Sequence, residues 1–229
     1  MTQQAERAPG GPGIADQRRG QMLTAALDVI SERGFADTRI ADIADRIGIS
    51  PALVIYYFKT KDQLLTEAIR HYEDTWYAEG KRRMDELPTA AARLEEFVAM
   101  NLLPDSDPEL ESNWQLWLDF WVQAARNANV AGLRRTSDER WREVIVTLVR
   151  SGQGAGEFAA GVDPDEFSIF VSALLDGLTV QIALNDPVVD PVGAFELCMR
   201  YISHYLGYPW TPTGREHVSA PVARAVAGR

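Results

Sequence analysis

The residues best suited to do chemistry lie between Thr38 and Leu65, TRIADIADRIGISPALVIYYFKTKDQLL. Hydroxyls (Thr38, Ser50, Tyr56, Tyr57) and cations (Arg39, Lys61) recur there around two short apolar stretches, and such donors are what phosphate oxygens accept. The chain offers little for catalysis. His71, His204 and His217 are far apart without metal-ligand spacing, and no glycine-rich phosphate loop or nucleophile elbow is present. No catalytic residue, metal or cofactor is expected, and carboxylates such as Asp119 and Asp176 do not read as catalytic.

These donors need elements to position them. Ile40, Ile43, Ala44 and Ile47 repeat at helical spacing and stop at Gly48, a residue free to adopt the left-handed conformation that redirects a chain. Ile49 anchors the turn, Ser50 is placed to cap a second helix, and Pro51 occupies its first position, where the missing amide hydrogen costs nothing. Small Ala44 lets the two helices cross closely, which is helix-turn-helix architecture. A preceding helix is predicted over 16–33, with Met22, Ala26, Leu27, Val29 and Ile30 on its apolar face and Gly34 as its stop. Thr38 is expected to cap the second helix, with Arg39 beside it as a phosphate candidate. Lys61 opens a fourth helix behind a capping box of Thr60 and Gln63, either as a phosphate ligand or as an ordinary solvated lysine.

Thr38, Ile43-Ala44, Gly48-Ile49-Ser50, Tyr56-Tyr57-Phe58, Lys61 and Leu64-Leu65 stand in an order and spacing that resemble the head of the tetracycline repressor (TetR) family. The resemblance implies a third helix, from Pro51 to Phe58, in the DNA major groove, with Ser50, Pro51, Ala52, Leu53 and Ile55 nearest the bases. It also places Tyr56 and Tyr57 at the DNA, where each either contacts phosphate or packs inward, and Arg18 and Arg19 add candidate contacts. Where many relatives carry a further aromatic, this chain has Ile55. Its apolar groups suit thymine methyls and make no bidentate hydrogen bonds to purines.

Behind the head, six further helices are predicted over 61–87, 89–103, 108–127, 130–152, 164–185 and 191–206. Asp163-Pro164-Asp165-Glu166 marks one start sharply. The fold class is therefore all-α: a three-helix helix-turn-helix domain at 14–60 and a ligand-binding and dimerisation bundle at 61–208. Residues 1–13 and 209–229, rich in Gly, Pro and polar residues, are expected to be a disordered arm and a flexible tail.

In ESNWQLWLDFWVQ, Trp114, Trp117 and Trp121 fall on one helical face, with Trp76, Tyr77 and Trp141 on other helices. The stripe is either plain core or the wall of an effector pocket. Aromatic faces favour cations, and acids such as Glu111 and Asp119 reinforce that preference, so a cationic or aromatic small molecule is the expected effector, with Asp176 a further candidate contact. ALLDGLTVQ and the tryptophan-rich segment resemble the choline-responsive repressor branch of the family. The last two helices are apolar around more of their circumference than one core needs. Either they bury that surface within the chain or, as the resemblance implies, they pair in a homodimer matched to a palindromic operator. The expected mode is repression relieved by ligand; the rival is a helical interaction module without specific operator binding.

The formal net charge is -10, yet residues 1–70 hold nine basic and nine acidic side chains, so all of the excess lies in the body. A neutral head suits DNA when its cations face the phosphates. Cys198 stands alone and reads as a small core residue. No apolar run reaches the roughly 18 residues of a membrane span and no secretory leader is evident, which points to the cytoplasm.

Overall fold

A computed structural model describes residues 13–103 and 114–212. Among these the chain forms nine α-helices and no strand: α1 Ile14–Asp37, α2 Ile40–Arg46, α3 Pro51–Phe58, α4 Lys61–Asp85, α5 Ala90–Leu102, α6 Trp114–Ala124, α7 Ala128–Gly154, α8 Pro164–Ala183 and α9 Pro191–Leu206. The expectations for the arm at 1–12, the tail at 213–229, Glu111 and His217 lie outside the described residues.

Backbone contacts gather the chain into two compact units, Met1–Ala78 with Gln115–Thr136, and Glu79–Trp114 with Ser137–Arg229. The unit carrying the helix-turn-helix thus continues past residue 60 and takes in the first part of α4, most of α6 and the start of α7. Its core runs from Met22, Ala26, Val29 and Ile30 of α1 through Ile43, Ala44, Val54 and Phe58 to Leu64, Leu65 and Ile69 of α4, and on to Leu116 and Phe120 of α6. Burying each large side chain of this kind stabilises the unit by about 1.5–3 kcal/mol. The backbone leaves helical geometry at Gly34 (φ 77°, ψ 157°), so the predicted stop is a break followed by one more turn to Asp37.

In the second unit α5 packs on α8 and α9, and Leu94, Phe97 and Val98 of α5, Phe167, Val171 and Leu175 of α8 and Cys198, Met199 and Ile202 of α9 are all buried. The N-terminus of α5 is held by Thr89, whose hydroxyl accepts from Ala92 N, and by Glu157, whose carboxylate accepts from Ala90 N at 3.1 Å and Ala91 N at 3.0 Å. A carboxylate there also meets the positive end of the helix dipole. As predicted, Asp163 caps α8, accepting from the N–H groups of Asp165 and Glu166. Gly207 ends α9 in the left-handed region (φ 75°). Trp210 meets Phe195 edge to face at 6.2 Å, so packing extends past residue 209. Among the described residues α8, 20 residues at mean hydropathy 1.4, has the length and composition of a membrane span, although no uninterrupted apolar run marks it. Its Phe167, Val171, Leu175 and Leu178 are buried within this unit instead.

Candidate nucleic-acid interface

The turn between α2 and α3 is built as its residue types dictate. Gly48 sits at φ 67°, its N–H donates to Asp45 O at 3.3 Å, and the Ile49 N–H reaches back to Ala44 O at 3.0 Å, so carbonyls left over at the end of α2 find partners. Ser50 caps α3, its hydroxyl oxygen accepting from Leu53 N at 3.3 Å, with Pro51 in the first turn. Val54 and Phe58 bury the inner face of α3, and Leu53 and Tyr57 pack partly against the same core. Pro51, Ala52, Ile55 and Tyr56 remain exposed.

Thr38 departs from its predicted place. Its side chain is buried, and its hydroxyl donates to Gly34 O at 2.8 Å, the carbonyl that also accepts the Thr38 backbone N–H at 3.2 Å. The cap of α2 is Arg39, whose backbone N–H donates to Asp42 Oδ2 at 2.9 Å. One extra turn after Gly34 moves the cap one residue along, and Thr38 holds the joint from inside.

Several cations of this unit are committed. Arg19 pairs with Glu67 and lies over the Phe58 ring, so it is no free arm contact. Arg46 pairs with Glu32 at 2.5 Å, holding that carboxyl below its ordinary value, and Arg33 pairs with Asp42 at 3.0 Å. The Lys59 ammonium donates to Tyr56 O at 2.7 Å and lies 5.0 Å from the centre of that ring, while its backbone takes the left-handed φ of 60°. Lys61 donates to Ala36 O at 3.1 Å and sits 4.5 Å over the Phe35 ring. Its burial lowers the ammonium below the usual lysine value, with Asp62 and Asp37 pulling the other way. Thr60 accepts from Gln63 N at 3.1 Å, but the Gln63 amide turns to Glu67, so only half of the predicted capping box forms. Arg18 and Arg39 are exposed and make no ion pair among the described residues.

The predicted effector residues divide between the units. In the first, Trp76 is buried and meets Tyr77 edge to face at 5.2 Å. Trp117 packs on Tyr72 at 6.3 Å and Phe120 at 5.5 Å, and the Arg134 guanidinium lies 6.0 Å over Trp121. Both Trp117 and Trp121 lean on the core beneath the helix-turn-helix. Trp114 and Asp176, both half-buried, belong to the second unit, as does Trp141, 4.7 Å from Phe97. Asp119, expected to add negative charge to a pocket, instead accepts from the Phe35 N–H at 2.8 Å. Sequence reasoning misses Glu73, which is buried in α4, one helical step from Trp76 and Tyr77; its signal is an acid spaced i, i+3, i+4 with two aromatics.

Comparison with known proteins gives a consistent answer. The family described as bacterial regulatory proteins, tetR family, matches residues 22–68, and that described as BetI-type transcriptional repressor, C-terminal, matches residues 90–207. The HTH-type transcriptional regulator BetI of Burkholderia mallei is 32% identical over 201 residues, covering 85% of this chain and 96% of that protein. Its counterpart in Burkholderia thailandensis is 32% identical over 195 residues, covering 83% and 94%. A transcriptional regulator from Saccharomonospora viridis, crystallised in complex with choline, superposes with a TM-score of 0.74 at 28% identity, over 82% of this chain and 96% of that one. FadR from Bacillus subtilis, in complex with stearoyl-CoA, shares the fold at 17% identity, with a TM-score of 0.64 over 81% of this chain and 97% of its own.

Proposed function

The chain belongs to the TetR family of bacterial regulatory proteins, and from that premise we propose a cytoplasmic repressor that binds a palindromic operator as a homodimer and is released by a small quaternary ammonium effector such as choline. It is a ligand-responsive DNA-binding transcriptional regulator, not an enzyme. The capped turn Gly48-Ile49-Ser50-Pro51 carries the DNA reading, because it fixes α3 against α2 as a rigid pair. Ser50, Pro51, Ala52, Leu53 and Ile55 are assigned to the bases, and Arg39, Tyr56, Tyr57 and Lys61 to phosphates. Thr38 serves these contacts by holding the α1–α2 joint. Residues 14–60 act as the reading head and 61–208 as the sensing and pairing body.

For the effector, a cation is favoured by the choline carried by the Saccharomonospora viridis relative and by the ring pairs Tyr72–Trp117 and Trp76–Tyr77 on the helix that also carries the buried Glu73. Trp76, Trp114, Trp117, Trp121 and Asp176 are assigned as effector contacts, each to be tested by substitution. Eight of the exposed large apolar side chains, from Ile169 to Tyr205, fall on α8, α9 and the loop joining them, the surface assigned to the dimer. A ligand that prefers dimer geometries with badly spaced heads weakens operator affinity by the same coupling energy.

The test is selection of bound sequences from random duplexes, followed by titration of choline, and of stearoyl-CoA as the acyl control, into the complex. A palindrome released by choline alone supports the proposal. Release by the acyl compound alone overturns the effector assignment, and absence of any selected duplex favours an interaction module.

A further inference from the structure

α3 turns an apolar face outward. Ala52, Ile55 and Tyr56 are spaced i, i+3 and i+4 and so share one side of the helix. Ile55 is 47% exposed and Tyr56 69% exposed, whereas Val54 and Phe58 on the opposite side are fully buried. From Pro51 to Phe58 no side chain offers the paired donors or acceptors that read guanine or adenine. Of the nearest polar groups, Ser50 Oγ accepts from Leu53 N and has a single hydroxyl proton left to offer, and Lys59 Nζ is held by the Tyr56 carbonyl. At the N-terminus of α2, in the same unit, Arg39 is an exposed guanidinium without an ion pair among the described residues, the charge complement of a phosphate backbone.

In the major groove the apolar group that duplex DNA presents at a base edge is the 5-methyl of thymine. Granted the assignment of α3 to that groove, on which this rests, we infer that Ile55 and Ala52 select T·A pairs by contact with thymine methyls, so that base specificity is carried by apolar packing. Ile55 stands where a branched side chain covers a methyl with more area than alanine provides, and the Lys59–Tyr56 contact steadies the ring beside it.

The experiment starts from an operator recovered by selection and replaces its thymines one at a time with deoxyuridine, which deletes the methyl and leaves base pairing intact. Each contacted thymine should lose about three- to fivefold in affinity, the scale of one buried carbon, and the others should lose nothing. Ile55→Ala should bind the thymine operator about as weakly as the wild type binds the uracil one and should be indifferent to the exchange. Changing that T·A pair to C·G should weaken binding, and 5-methylcytosine at the same place should recover part of the loss. Sequence-selective binding that ignores every thymine-to-uracil exchange overturns the inference while leaving the groove assignment standing. Failure to select any duplex removes that assignment, and the inference with it.

Discussion

The Asp119 carboxylate in α6 accepts the backbone N–H of Phe35 at 2.8 Å, across 84 residues of sequence. The contact falls where Gly34 leaves helical geometry, and a β-carbon on Gly34 would come within 3.0 Å of the same carboxylate oxygen. Glycine is therefore favoured by its φ of 77°, and any β-carbon there would also make the Asp119 carboxylate give way slightly.

Asp119→Ala should leave the Phe35 N–H without its partner and cost about 1–3 kcal/mol in denaturant unfolding. Gly34→Ala should cost at least about 1 kcal/mol, from its left-handed backbone alone. The double variant should cost less than the sum, because both changes dismantle one contact. Full additivity would mean that the two act separately.

Lys61 should behave as a phosphate ligand with an unusual pH signature. Lys61→Met should weaken operators of different sequence about equally and reduce the magnitude of the salt slope by about 0.9. Burial holds the ammonium below 10.5, so the unfolded chain keeps its proton to higher pH than the folded one. Raising the pH through that window should then favour the fold while weakening the operator complex, and Lys61→Met should lack both trends. A sequence-selective loss in filter binding would contradict the phosphate role.

The turn between α2 and α3 is legible in the sequence because its signals are local. Gly48, Ser50 and Pro51 each satisfy or remove a backbone group within four residues, and Asp163-Pro164 does the same for α8. The cap of α2 lies one residue beyond its expected place because the turn after Gly34 depends on an inward-facing Thr38 hydroxyl. Asp119 reads as pocket charge for a different reason: periodicity tells which face of α6 is covered, and its partner lies in a distant part of the chain. Trp117 and Trp121 pose the same problem, since regular spacing marks core and cavity wall alike, and the structure seats both partly on the head core.

Glu79 should titrate near pH 2. Hydrogen bonds from Arg82 and Arg83 hold its carboxyl at about 2, against an ordinary 4.5. A depressed carboxyl contributes stability that is fully present above about pH 4.5 and fades as the pH falls toward 2. Glu79→Gln should therefore be destabilised relative to wild type at pH 7, modestly because Arg82 is exposed to solvent while Glu79 and Arg83 are half-buried, and the gap should narrow below pH 4.5. A gap that stays constant down to pH 3 in urea titrations would show that the arginines do not hold this carboxylate in solution.

Gly177 separates helix stability from pairing. It lies inside α8 on its exposed side, near the apolar Phe170 and Leu184, and a β-carbon there would meet nothing within 4 Å. In a monomer Gly177→Ala should raise helix stability by about 0.5–1 kcal/mol, because glycine loses more backbone freedom than alanine. If the proposed dimer pairs through this face of α8, the same methyl adds bulk where the partner must approach, so sedimentation should show weaker self-association even as unfolding of the dilute protein requires more denaturant. Leu184→Ser, at a side chain 67% exposed, should weaken association without the gain in helix stability. If both variants sediment as the wild type does, α8 faces solvent and the exposed apolar side chains of α8 and α9 do not pair the subunits.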